Sequence, residues 1–262
     1  MQRILLVVDS SCSARRAVSV VVELALRTRA SVAVFAQPAS HAAHALPGWN
    51  SASVAQYALK RLVSAGIDAV SSERDQSVVA ELSDVVSSFS PDLMVIPADE
   101  RGEGPGLELL QRINVAFLVV GPRAADTSIG NSVAVGLMDG SDIESTIGGA
   151  AEIASLLDAH VLVMHARALA PRVSTFDVEL DLVEQAVAKL RRKGIAATGR
   201  VLPQAADSAG AIGAAAEAEG AGLIVVNARR IRGLRTWLGG NVAGKLVRSA
   251  SRPVLLAAKR AA

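Results

Sequence analysis

The residues with the clearest chemistry lie in Asn227–Val247, NARRIRGLRTWLGGNVAGKLV. Gly239 and Gly240 precede Asn241, and an apolar run with helical spacing follows. A glycine-rich approach to a helix leaves backbone N–H groups unpaired and turns the positive end of the helix dipole toward whatever sits there. Asn241 could cap that helix and also touch an anion's oxygen. Arg229, Arg230, Arg232, Arg235 and Lys245 flank it, and a guanidinium meets a phosphate with two parallel hydrogen bonds. The segment reads as a cradle for a phosphate-bearing ligand. It reads equally as a solvated basic loop whose two glycines only turn the chain.

A second candidate is Asp139, followed by Gly140 and Ser141. A carboxylate at the carboxyl end of a strand faces the crevice and could accept a hydrogen bond from a base amine or a sugar hydroxyl. The local pattern by itself favours a plainer role, in which Asp139 or Ser141 caps the next helix for about 1 kcal/mol. Cys12 lies just ahead of the first helix with no histidine near it in sequence. His41 and His44 have a metal-permitting spacing but no other ligand types beside them. No G-x-S-x-G elbow, H-E-x-x-H helix or G-x-x-x-x-G-K-[ST] loop is present. The sequence therefore offers no catalytic and no metal-binding set.

These residues need a scaffold, and the chain writes that scaffold twice. ILLVVDSS at Ile4–Ser11 returns as VAVGLMDGS at Val133–Ser141, with Asp9 and Asp139 an offset of 130 apart. DLMVIPA at Asp92–Ala98 returns as GLIVVNA at Gly222–Ala228, again offset by 130. VAFLVV at Val115–Val120 matches PVLLAA at Pro253–Ala258, offset by 138, so the connection before the last strand is read as eight residues shorter in the first half. Two domains are expected, 1–124 and 131–262, joined by a short polar stretch at Arg123–Gly130.

In the first half, strands are expected at Ile4–Val8, Ser31–Ala36, Ile67–Val70, Leu93–Pro97 and Ala116–Val120. In the second they are expected at Ser132–Met138, His160–His165, Ala196–Val201, Leu223–Asn227 and Val254–Ala257. Helical spacing marks Ala17–Leu26, Val78–Phe89, Ile143–Leu157, Phe176–Lys193, Asp207–Glu219 and Gly240–Ser249. Strands alternating with helices predict an α/β fold: two tandem doubly wound five-stranded parallel sheets with helices on both faces. Right-handed crossovers then leave a crevice at the carboxyl ends of the strands.

Composition agrees. Of 262 residues, 51% are apolar and only 3% aromatic, so the cores must be aliphatic, as buried parallel strands require. No long apolar stretch is free of charge, which argues against a membrane span. A strand starts right after Arg3, so no cleavable signal is expected, and a single cysteine excludes an intrachain disulfide; the chain reads as cytoplasmic. Net charge is only +2, yet Arg229–Ala262 holds nine basic residues and no acidic ones. That segment lacks interleaved aromatics other than Trp237 and has no basic helix with a docking pattern, so a solvated basic surface is a better reading than nucleic-acid binding.

The starts of the two halves, the long run GLIVVNARRIRGLRTWLGGNVAGKLVRSASRPVLLAAK and the five-strand spacing resemble the universal stress protein family over nearly the whole chain. The repeat makes the chain similar to its tandem members. Those that bind ATP carry G-x-x-G, nine residues, then G-S or G-T. Here those positions hold Asn227, Arg230, Gly240 and Asn241, so the spacing and one glycine are kept. The resemblance implies a nucleotide-contacting set of Asp139, His165, Asn227, Arg230, Gly240, Asn241 and Val242, with Asp139 and the Met164–His165 region at the adenine. A partly buried histidine bonded to the backbone is the plainer reading of His165. In the first half Asp9 is kept, but Pro97 replaces Asn227, and Asp99, Glu100 and Glu103 would repel a triphosphate. The resemblance further implies that the last strands pair within the chain as a pseudo-dimer. Two functions remain open: a regulatory protein that binds ATP or another adenine nucleotide in its second half without turnover, or a nucleotide-free scaffold acting through protein partners.

Overall fold

Ile4–Val8 and Val133–Leu137 are aliphatic because a strand covered on both faces has no polar side to show. In the computed structural model they form the inner strands β1 and β6 of one ten-stranded sheet. The structure describes residues 1–37, 48–71, 78–102, 113, 115–126, 128–137, 143–168, 176–227 and 242–257. The strands are β1 Arg3–Val8, β2 Ser31–Ala36, β3 Ala69–Ser71, β4 Leu93–Pro97, β5 Ala116–Val120, β6 Ser132–Leu137, β7 His160–Ala168, β8 Ala197–Ala205, β9 Leu223–Asn227 and β10 Val254–Ala257. The helices are α1 Cys12–Thr28, α2 Ser51–Ser64, α3 Val78–Phe89, α4 Ile143–Leu157, α5 Phe176–Arg192, α6 Ser208–Ala218 and α7 Val242–Ser249.

The sheet order is β3-β2-β1-β4-β5-β10-β9-β6-β7-β8. Within each half all pairings are parallel, and the strand order reverses direction between β1 and β4 and between β6 and β9. The expected α/β doubly wound architecture is therefore present. The last strands pair antiparallel, Val254 opposite Val119 and Leu256 opposite Phe117, so the two halves share one continuous sheet. Alternation along the strands feeds two cores. Ile4, Leu6 and Val8 point toward α1 and α2, in a cluster that continues under α4 and α5. Leu5 and Val7 point to the opposite face, which is covered by α3, α6 and α7. Helix α2 has no counterpart among the expected elements; Asn50 caps it through Ser53 N–H at 2.8 Å, and Val54, Ala58 and Leu62 line its inner face.

Register revises two of the repeat offsets. Ile4 lies opposite Leu93 as Val133 lies opposite Leu223, which aligns β1 with β6 one residue short of the Asp9–Asp139 spacing. Pro97 pairs with Val120 and Asn227 with Ala257, so the intervening connection is seven residues shorter in the first half, not eight.

The join between halves is held by side chains. Arg16 donates to the Pro122 carbonyl at 2.8 Å. Glu23 accepts from Ser128 Oγ at 2.7 Å and from Ile129 N–H at 2.9 Å. The Arg27 guanidinium donates to the carbonyls of Gly130 and Leu157 and to Asn131 Oδ1, each at 2.5 Å. Glu23 and Arg27 stand one turn apart on α1, and Arg16 two turns before Glu23, so one helix face grips the connection. Gly222 shows how close the chain passes: a Cβ there would lie 1.4 Å from the Ile129 carbonyl oxygen.

Candidate functional site

The reversals of strand order place a crevice at the carboxyl ends of β1 and β4 and again at those of β6 and β9. In the second half, Asn227 closes β9, half-buried, opposite Ala257. Leu223 and Val225 face α4, and Asn227 continues that alternation. Its Nδ2 donates to Ser145 Oγ at 2.6 Å, which ties the end of β9 to the first turn of α4. Val242 opens α7 on the other side of the sheet, also half-buried. The helix expected from Gly240 is described from Val242 onward. Asp139, Arg230, Gly240 and Asn241 lie outside the described residues, as do Arg229, Arg232 and Arg235.

His165 lies on β7 between Leu137 of β6 and Val201 of β8. It is half-buried, and its Nδ1 is buried without a hydrogen-bond partner. β7 runs on to Ala168 with an irregularity after Ala166, so His165 sits inside the strand and not at its end.

The sequence reading missed Glu179. The apolar stripe of α5 is expected through Leu180, Val183, Val187 and Leu190, yet the inner face carries Glu179 with Val183, Ala186, Val187 and Leu190. Val183 lies directly over Gly199, where a Cβ would come within 2.4 Å of Val183 Cγ1. α5 runs antiparallel to β8, and one helical turn spans about two strand residues. Glu179, one turn before Val183, is buried on that same inner face of α5. Only its spacing of four residues before Val183 could have revealed it.

The first half has a different set. Asp9 follows β1 and is 9% exposed. Its Oδ1 accepts from Ser11 N–H at 2.9 Å and from Ser11 Oγ at 2.5 Å, and Ser11 Oγ accepts in turn from Ala14 N–H to cap α1. Burial pushes the Asp9 carboxyl above its ordinary value; the Ser11 bonds oppose this and the Asp99 charge adds to it. Asp99 accepts from Arg101 N–H at 2.9 Å just beyond β4. Pro97 occupies the sheet position that Asn227 fills in the other half. The carboxylates Asp99 and Glu100 do stand at this edge; Glu103 lies outside the described residues.

Fold and crevices together define a Rossmann-like, doubly wound α/β protein. The model of the universal stress protein family matches residues 132–258. The whole chain is similar in fold to a crystal structure of a universal stress protein from Archaeoglobus fulgidus DSM 4304, at 13% identity and a TM-score of 0.70, covering 98% of this chain and 96% of that one. It is also similar to a functionally unknown protein from Pseudomonas aeruginosa PAO1, at 15% identity and a TM-score of 0.58, covering 98% and 92%. No curated protein matches. The second half of the chain thus belongs to the universal stress protein family, and the chain as a whole has the fold of a tandem member. Among the described residues, no helix is long and apolar enough to cross a membrane.

Proposed function

We propose that the protein is a regulatory universal stress protein whose second domain, residues 131–262, binds ATP or another adenine nucleotide without significant turnover, while the first, residues 1–124, binds none. The observation that carries this reading is the family match over 132–258, together with the retained spacing from Asn227 and Arg230 to Gly240 and Asn241. Asn227 at the end of β9 and Val242 at the start of α7 flank the segment that would hold the phosphates. Asp139 and His165 would meet the base. Binding works as a signal here: hydrolysis needs a positioned base or metal ligand near the phosphates, and no residue is assigned that role.

The test is to denature purified protein and analyse released nucleotide by anion exchange, then to follow thermal unfolding with ATP, ADP and cyclic AMP. Ligand at 100 times its Kd raises stability by about 2.7 kcal/mol. Asn241→Ala should weaken that effect. No released nucleotide and no shift with any of the three would overturn the proposal.

The competing reading is a nucleotide-free scaffold acting through protein contacts. It is favoured by the Asn227–Ser145 bond, because a side chain occupies the place where the family motif has glycine.

A further inference from the structure

Helix α7 carries a cation where its own dipole disfavours one. Lys245 is the fourth residue of the helix, close to the positive end, and no acidic residue of the first turn offsets it. The counter-charge comes from α6. Lys245 Nζ lies 3.5 Å from Asp207 Oδ1. α6 follows β8 and α7 follows β9, so both helices start at the carboxyl ends of the strands, and both cover the same face of the sheet. Gly213 of α6 and Leu246 of α7 meet between them. The ion pair thus joins two helix starts beside the second-half crevice.

Asp207 gives up its ordinary role for this contact. It holds the N-cap position of α6 with extended backbone, φ −123° and ψ 96°, yet its side chain makes no cap hydrogen bond. The usual partner of such a carboxylate is the N–H of the second or third helical residue, here Ala209 or Gly210. Asp207 Oδ2 already lies over Gly210, where a Cβ would come within 2.9 Å of it. A small rotation therefore separates pairing with Lys245 from capping α6. Both side chains are about half-exposed, so the pair is weak and opens readily. A helical side chain leans toward the N-terminus of its helix, and one turn is about 5.4 Å, so the Lys245 ammonium can reach an anion held at the start of α7.

We propose that Lys245 and Asp207 form a reserve ion pair that a phosphate-bearing ligand opens. The ammonium turns to the ligand's phosphates, and the Asp207 carboxylate falls back to cap α6 through the Gly210 N–H. The inference rests on the nucleotide reading of the second half and adds what is discriminated there: the charge of the phosphate chain, to which a neutral nucleoside is blind.

The experiment is calorimetric titration of the full chain with ATP, AMP and adenosine at constant ionic strength. Lys245→Ala should weaken ATP about tenfold, AMP less, and adenosine less than about twofold, while Lys245→Arg keeps most of the ATP affinity. Asp207→Asn can still cap α6 but no longer holds the ammonium, so it should tighten ATP about threefold. Each variant is checked for native circular dichroism. The Gly210 amide resonance of the unmodified protein should shift with ATP and stay in place with adenosine, a reading that needs no variant. Inorganic tripolyphosphate serves as a probe without a base. If it shifts Gly210 and is weakened by Lys245→Ala while no adenine compound binds, the nucleotide reading fails and the switch stands. If ATP binds but Lys245→Ala leaves its affinity unchanged, weakens adenosine equally, or Gly210 stays still, the switch is overturned and the nucleotide reading stands. Binding of neither ATP nor tripolyphosphate would overturn both.

Discussion

Asn227 Nδ2 donates to Ser145 Oγ across 2.6 Å, and this bond fastens the last residue of β9 to the first turn of α4. The two residues are far apart in sequence, and both belong to the rim of the second-half crevice. Removing the hydroxyl in Ser145→Ala should cost about 1 kcal/mol, the net worth of one such bond, read by urea denaturation. Asn227→Gly should cost a similar amount while opening the rim, so adenine nucleotide affinity should rise as stability falls. Titration calorimetry on the two variants checks that opposition; a parallel loss of affinity and stability would contradict it.

Arg27→Ala should be among the more damaging surface substitutions. It strips donors from the carbonyls of Gly130 and Leu157 and from Asn131 Oδ1. Two of these acceptors are partly buried, so a loss of about 2–3 kcal/mol is expected. Amide hydrogen exchange should quicken at Ile129 and Gly130, where the connection leaves α1. Unchanged exchange there would mean that the strap adds no rigidity.

Gly222→Ala and Gly213→Ala should move stability in opposite directions. The first drives a methyl into the Ile129 carbonyl, 1.4 Å from its oxygen, and backbone must shift to admit it. A cost of about 3 kcal/mol or failure to fold is expected. The second lies within α6, where the nearest outside atom is Leu246 Cδ2 at 3.8 Å. There the methyl fits and should stabilise by about 0.5–1 kcal/mol through helix propensity. Paired thermal melts settle the comparison.

Two carboxylates should shape the acid limb of stability in opposite ways. Burial, only partly offset by Ser11, raises the Asp9 carboxyl above 3.8. Its charged form is therefore a cost at neutral pH that fades as pH falls through the raised value. Asp9→Asn keeps an oxygen for Ser11 and removes the charge, so it should stabilise at pH 7 and gain nothing below pH 3.8. At Asp92, burial pushes upward, but the Gln2 and Arg3 amides at 2.7 and 3.0 Å outweigh it and hold the carboxyl below 3.8. Its stabilisation is present above 3.8 and lost as pH falls through the lowered value. Asp92→Asn should thus destabilise at pH 7, with the deficit shrinking in strong acid. Unfolding curves from pH 2 to 7 test both signs.

Much of the scaffold could be read from the chain because buried parallel strands announce themselves as aliphatic runs. β2, β4, β5, β9 and β10 fall on the expected residues. β7 and β8 extend beyond expectation, to Ala168 and Ala205, because Arg167, Pro203 and Gln204 interrupt the aliphatic run that marks a buried strand. β3 starts two residues late because Ile67 serves the core before the strand begins. The candidate site was less legible. Asn227 could be placed at a strand end, but its Ser145 partner comes from another element and leaves no local pattern. Glu179 sits in an apolar stripe, where a charged residue is normally read as facing water. The grip of Arg16, Glu23 and Arg27 joins residues more than a hundred positions apart, beyond the reach of any periodicity.

The antiparallel β5–β10 junction has one more consequence. In an assembly of identical subunits, any change that alters one binding crevice alters its mate as well. Here the two mates are covalently bound and locked at a fixed one-to-one ratio, and neither can exchange for a copy of the other. Each is free to diverge without spoiling its counterpart, which is how an acidic rim and an arginine-rich segment come to coexist in a single molecule.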